Sequence, residues 1–388
     1  MNLRKYAVFC ALSLALTLSH SAQAASKQSN PESRFFVKSQ SPLWRNSFNA
    51  RHVFPEGFSA NLSDWQLRVA RAFNIDVQPL GQLFILEEAA PQERALPDAS
   101  IPWGVGAMYD LPSLATRPVG GKGVSVAVVD TGVSQHPDLD RRVSLCKDFT
   151  VARGATNVCI DTNGHGTHVA GVIAADGGED GLGIFGVAPE ASLAIYKACS
   201  AEGECWVDDV AAAIRAGVDD GAQIVVVSAG ADSAHSVLAN AVKYALDKGV
   251  LVIAAAGNDG PYAGSVDTPA RLSGVLAVGA LDTQGGTPEW SSRGSNSRSL
   301  LGVLEDGDIA FAAPGVRVQG PWLSGVYAEL SGTSVAAPHV AGVAAKVWNA
   351  SVKNPAYYVR DVLEKIARDQ GVEGEDNATG LGTPVISQ

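Results

Sequence analysis

After residue 98 the apolar residues come in short runs, broken only by Ser125: Val124 to Val129, Leu193 to Tyr196, Ile224 to Val227, Val250 to Ala255 and Val275 to Val278. Each run reads as a strand buried on both faces. Between them, Gly166 to Ala175, Val207 to Asp219 and Ser236 to Lys248 have the length and spacing of helices. Strands alternating with helices of this size predict right-handed crossovers and an α/β, doubly wound, mostly parallel sheet. The chain before residue 98 follows another pattern. Arg34 to Lys38 and Gln82 to Leu86 read as strands and Ser63-Asp64 opens a helix, which predicts a small α+β unit. At about 55 residues it is near the lower limit for folding alone, so it is expected to lean on its neighbour. Ala89 to Pro97 show no periodicity and read as a linker.

The first residues are of a third kind. Arg4 and Lys5 precede an apolar run from Ala7 to Leu18, and Ala22-Gln23-Ala24 has the small-x-small form of a cleavage site. The run is too short to anchor in a bilayer, so residues 1–24 read as a signal peptide and the protein as exported, extracellular or periplasmic. The expected division is 1–24, then 25–97, then 98–388.

Composition narrows the class. Of 388 residues 46% are apolar and 18% charged, which is enough to fill a large core. The 41 glycines have no three-residue period, so a collagen-like chain is excluded. Residues 98–388 carry 19 Lys/Arg against 33 Asp/Glu. An acidic body repels nucleic acid and anionic lipid, and no later apolar run has membrane-spanning length; neither nucleic acid nor membrane is an expected partner. Outside the leader there are four cysteines, Cys146, Cys159, Cys199 and Cys205. An even number in an exported chain favours disulfides, and closeness in sequence suggests Cys146 with Cys159 and Cys199 with Cys205, out of three possible pairings.

In doubly wound sheets the active crevice lies beyond the carboxyl ends of the strands. Asp130 follows Val124 to Val129 there, and Asn258 follows Val250 to Ala255. Two further segments have the form of a glycine-rich turn entering a helix, Asn163-Gly164-His165-Gly166-Thr167-His168 and Ser331-Gly332-Thr333-Ser334-Val335-Ala336-Ala337-Pro338-His339. An acid, a histidine, a serine and an amide thus converge on one crevice. A serine hydroxyl is a poor nucleophile near neutral pH and needs a base such as His165, whose ring needs an acid such as Asp130 to fix its tautomer. Asp130-Thr131-Gly132 alone is also an aspartic-protease pattern, but no second Asp-Thr-Gly or Asp-Ser-Gly accompanies it. His165 and His168 lie three apart but lack the Glu-x-x-His frame of a metal site.

These motifs, in the order Asp, His, Ser, resemble the subtilisin-like serine proteases, the subtilases, over residues 98 to about 350. The resemblance implies a secreted endopeptidase with Ser334 as nucleophile, His165 as base, Asp130 as orienting acid and Asn258 as oxyanion donor. It makes His168 a packing residue. It implies a substrate-binding edge at Ser228-Ala229-Gly230 and a second pocket wall at Ala255-Ala256-Gly257. It puts Asp267 at the floor of the primary pocket, which implies a preference for Arg or Lys at P1. If Asp267 instead faces solvent, a broad apolar pocket is expected. The resemblance further implies no organic cofactor but a structural calcium, held by Asp138 and by Gly178, Asp180, Leu182 and Ile184 of the following loop. It makes the unit within 25–97 a propeptide that assists folding and inhibits, with self-cleavage expected in the 94–100 stretch beside Arg94. Partners are then protein or peptide substrates and the chain's own propeptide, with the enzyme a monomer. The contrasting possibility is a catalytically inactive subtilase-fold binding module.

Overall fold

In the computed structural model the described residues are 33–88, 90–110, 117–152, 155–295 and 306–387. The leader expected over 1–24 lies outside them. Seven strands form one parallel sheet: β1 (Ser125–Asp130), β2 (Val143–Asp148), β3 (Ser192–Lys197), β4 (Ile224–Val227), β5 (Leu251–Ala255), β6 (Leu276–Leu281) and β7 (Phe311–Pro314). Their order is β7-β6-β5-β4-β1-β3-β2. The continuous apolar runs have a direct cause here, since alternate residues go to different cores. Val126, Val128, Ile224, Val226 and Ile253 pack with Val169, Ile173 and Val340. Their neighbours Ala127, Val129, Val225, Val227 and Val252 pack with Val210, Ile214 and Leu238 on the other face. The first layer contains helices α1 (His165–Ala174) and α4 (Thr333–Val347), and the second α2 (Val207–Asp219) and α3 (Ser236–Asp247).

The five expected strands are present with each end displaced by no more than three residues, and Ile224–Val227 has the expected bounds. The sequence pattern did not reveal β2 and β7. β2, at the sheet edge, carries the mixed run Val143-Ser144-Leu145-Cys146-Lys147-Asp148, and β7 is short and ends in Pro314. Both expected disulfides are formed, Cys146–Cys159 and Cys199–Cys205.

The N-terminal unit is a four-stranded antiparallel sheet, in the order Val53–Phe54, Gly57–Asn61, Arg34–Val37, Val77–Pro79. Val37, Phe48, Phe58, Leu62 and Ala70 form its core. The helix Asp64–Ala72 starts where Ser63 and Gln66 form a capping box. From Arg34 onward the chain clusters as one compact body. The strand Gln82–Ile85 does not join the small sheet. It lies between Glu204–Trp206 and Ala229–Gly230 of the large unit, antiparallel to both.

Candidate active site

Asp130 is the last residue of β1 and His165 opens α1, both buried. His165 Nδ1 and Asp130 Oδ1 are 2.8 Å apart. Burial alone lowers the imidazole pKa. Burial is the largest single influence, but the charge and hydrogen bond of Asp130 together with the charges of Glu87 and Asp161 oppose it, and the net shift is upward. Asp161 is a positioning residue that the sequence reading missed. It accepts from Thr131 Oγ1 at 3.0 Å, from the Gly164 N–H at 2.9 Å and from Thr167 Oγ1 at 2.6 Å, so one carboxylate ties the turn after Asp130 to the turn before His165. Its position in the polar turn Asp161-Thr162-Asn163-Gly164 was the available signal. His168 is neutral, with Nε2 against the Val318 carbonyl at 2.9 Å and a pKa pushed by burial down to about 3. It packs, as the resemblance implied.

Ser334 lies in the first turn of α4, which packs against α1. The preceding Gly332 has φ +154°, and a Cβ there would collide with the Leu86 carbonyl. Only glycine lets a backbone approach so closely in this conformation. Asn258 Oδ1 accepts from the Thr333 N–H at 3.0 Å and from Thr333 Oγ1 at 2.9 Å. Its Nδ2 is buried without a hydrogen-bond partner among the described residues. The same is true of His165 Nε2. Asn258 is thus tied by its oxygen to Thr333, the neighbour of Ser334.

The chain's own segment 82–88 runs through this site. Ile85 pairs with Ala229 and Phe84 with Gly230, and the Leu86 N–H donates to the Ser228 carbonyl at 3.4 Å. Ser334 Oγ donates to the Leu86 carbonyl at 2.6 Å, and the Glu88 N–H donates to the Ser331 carbonyl at 2.8 Å. The Glu87 carboxyl is pushed up by burial, while the charge of His165 opposes that shift. The Leu86 carbonyl thus rests on the serine, and the Glu87 carboxyl lies within electrostatic reach of the histidine. Arg94, expected at the first cut, is elsewhere. It ends the strand Gln92–Arg94, which pairs with Tyr327–Leu330, and its guanidinium bonds Asp98 at 3.0 Å and Glu329 at 3.1 Å. The linker was read as irregular, but this part of it is a strand.

Asp267 is 2% exposed and so does not face solvent. A Cβ on Gly230 would come within 2.8 Å of its Oδ2, and one on Gly257 within 2.9 Å. The carboxyl is therefore wedged between the 228–230 edge and the 255–257 wall, and the Asp267 backbone N–H donates to the Ala256 carbonyl at 2.8 Å. Burial first, then the charges of Asp259 and Asp232, push it up to about 7 against the opposing Arg271. Asp232 did not stand out in the sequence, because nothing local marks a loop acid as the neighbour of another loop.

The loop from Gly177 to Ile184 folds over the buried Asp138, whose Oδ2 accepts from the Ile184 N–H at 2.9 Å and the Tyr327 hydroxyl at 3.0 Å. A Cβ on Gly178 would lie 3.3 Å from Asp138 Oδ1 and 3.6 Å from Asp180 Oδ1, so both carboxylates converge on this glycine. Burial raises the Asp138 pKa, a state that a cation would reverse. Carboxylate and carbonyl oxygens around a glycine cradle suit a hard cation such as calcium. Two expected donors are already engaged, since the Gly178 carbonyl accepts from Arg141 Nη2 at 2.7 Å and the Ile184 carbonyl from the Gly177 N–H at 2.9 Å.

A family model described as the subtilase family matches residues 121–382. A subtilisin of Bacillus sp. (strain TA39) is 39% identical over 356 residues, covering 85% of this chain and 84% of that one. Subtilisin Savinase of Lederbergia lenta is 38% identical over 283 residues, covering 73% of this chain and 96% of that one. Among solved structures, Sphericase superposes with a TM-score of 0.71 at 41% identity, covering 76% of this chain and all of that one. The S41 psychrophilic protease gives 0.70, also at 41%.

Proposed function

The chain belongs to the subtilase family of serine endopeptidases, and from that premise we propose that it cleaves peptide bonds through an acyl-enzyme on Ser334. Ser334 Oγ attacks the carbonyl carbon, its proton passes to His165 Nε2, and the carbonyl electron pair moves onto oxygen. Asn258 Nδ2 and the first N–H groups of α4 stabilise that oxyanion. Collapse breaks the C–N bond, and the leaving amine takes the proton from His165. Water, deprotonated by the same imidazole, then frees the acyl group and Ser334 regains its hydrogen. Asp130 holds the ring in the tautomer that presents Nε2 to the serine. The observation that carries this reading is the Leu86 carbonyl resting on the Ser334 hydroxyl while its strand is added to the 228–230 edge.

The chain's first substrate is its own Leu86–Glu87 bond, and the unit before it is a propeptide that folds with the body and blocks the cleft. The enzyme is exported, acts as a monomer on protein or peptide substrates, and holds a structural calcium through Asp138, Asp180 and carbonyls of the loop that includes Gly178, Leu182 and Ile184. Asp267 at the pocket floor favours Arg or Lys at P1. A broad apolar pocket is the second reading, and Leu86 favours it by bringing an apolar residue to that position.

Ser334→Ala tests the core of the reading. Expressed without other proteases, the variant is expected to stay an uncut precursor and to resist a fluorophosphonate probe that labels the wild type. Normal maturation of the variant would show that another group performs the cut.

A further inference from the structure

Asp267 is a buried carboxyl packed between Gly230 and Gly257, the two segments expected to wall the P1 pocket, yet the residue whose carbonyl rests on Ser334 is the apolar Leu86. Carboxylate oxygens of Asp232, Asp259 and Asp267 all lie within 4.8 Å of one another. Asp232 and Asp259 are exposed at the rim, whereas Asp267 is buried, and its Oδ1 has no hydrogen-bond partner among the described residues. An unpaired buried carboxylate with two like charges beside it has two ways to relieve its cost, by gaining a proton or by gaining a cation. The geometry points to Asp232, Asp259 and Asp267 as a proton-gated selector of the P1 side chain. With Asp267 protonated the pocket takes an apolar residue such as Leu86, and with all three ionised it takes a guanidinium or ammonium. This inference rests on the proposed cleavage at Ser334 and deepens its P1 assignment.

The charged groups that face Asp267 agree in sign. Asp232 follows the Ala229–Gly230 edge and Asp259 follows Asn258, and both disfavour a second negative charge; Arg271 opposes them more weakly. Glu88 of the chain's own segment feels Asp259 in the same sense. A proton held near neutrality therefore belongs to the pocket's charge arrangement and to its burial together. The sign follows from linkage. Binding an apolar side chain desolvates Asp267 and raises its pKa, so that binding takes up a proton and weakens as pH rises, by at most ten-fold per pH unit. A cationic side chain has the reverse dependence. The same coupling makes the docked Leu86 segment a tighter inhibitor at low pH and a weaker one above neutrality.

The test uses the self-processed enzyme and two peptides identical except for Arg or Leu at P1. The ratio of their kcat/KM values is followed from about pH 5.5 to 8.5, because His165 titration acts on both peptides and cancels in the ratio. In the wild type the Arg/Leu ratio is expected to rise at least ten-fold with pH, with its midpoint at or below about 7, where Asp267 titrates with the segment in place. Asp267→Asn is expected to give a flat ratio. Asp259→Asn, a rim change, is expected to move the midpoint to lower pH, because one like charge is gone. A ratio that favours Arg equally at every pH would overturn the gate and leave the P1 assignment standing. A ratio that favours Leu throughout would overturn both. A pH-dependent ratio that persists in Asp267→Asn would move the gate to another group. Failure of the wild type to cleave either peptide would remove the proposed function and this inference with it.

Discussion

Asn258 illustrates how one side chain divides its two ends. Its oxygen is fixed by the backbone and hydroxyl of Thr333, which leaves the amide N–H groups for a charge that exists only during reaction. Asn258→Ala is expected to reduce kcat with little change in KM, since the lost interaction belongs to the transition state. The oxyanion amide of subtilisin itself sets the scale, about 10²–10³ in kcat. A variant whose KM rises while kcat holds would make Asn258 a substrate-binding residue instead. The residue identities at the site were legible because each stands on a glycine-marked turn at a strand or helix end. Asp232 carries no such mark, and Asp161, which opens the turn ending in Gly164, takes its importance from the bond that Thr131 of another loop brings to it.

Among the elements, the 177–184 loop has competing occupants. Arg141 bonds Asp176 and the Gly178 carbonyl, whereas the convergence of Asp138 and Asp180 on Gly178 invites a cation. Calcium bound only by the folded state stabilises by about 2.7 kcal/mol when its concentration is a hundred times Kd. Removal with EGTA is therefore expected to lower the unfolding temperature by several degrees, and re-addition to restore it. An unchanged midpoint would assign the loop to Arg141 alone. The strand Glu204–Trp206 shows another way to hold an element in place. Cys205 within it is tied to Cys199, which steadies the edge on which Gln82–Ile85 docks.

Across the whole molecule, the N-terminal unit is held by buried charge as well as by its strand. Arg34 Nη1 lies 2.7 Å from Asp209 and 3.3 Å from Asp208, and His52 Nε2 lies 2.7 Å from Asp209. Arg34, Asp208 and Asp209 are 5%, 0% and 1% exposed, so water does not screen them. Both acids also sit in the first turn of α2, where the helix dipole favours negative charge. Breaking such a network from one side leaves the other charges buried and unpaired, at a cost of about 3–5 kcal/mol. Asp209→Ala is expected to loosen the unit's hold on the body by roughly 10²-fold or more. The measurement is the rate at which the cleaved N-terminal fragment separates on a sizing column, and a rate equal to the wild type would show that the strand alone holds it.

The alternation of buried runs and helices was readable along the chain because a strand between two helix layers must be apolar on both faces. The start signal Ser63-Asp64 also located the helix Asp64–Ala72, where Ser63 and Gln66 form the cap. It did not reveal β2, whose polar residues are tolerated at an edge, or the pairing of Gln92–Arg94 with Tyr327–Leu330. The placement of Leu86 at Ser334 was decided only in three dimensions, across an interval of 248 residues. Strand addition is made by N–H and C=O groups that nearly every residue carries, so no side chain announces it. The sequence by itself determined which faces must be buried and which side chains have chemistry to offer. Tertiary structure decided which of them meet, because a periodic pattern records that a face is covered and not what covers it.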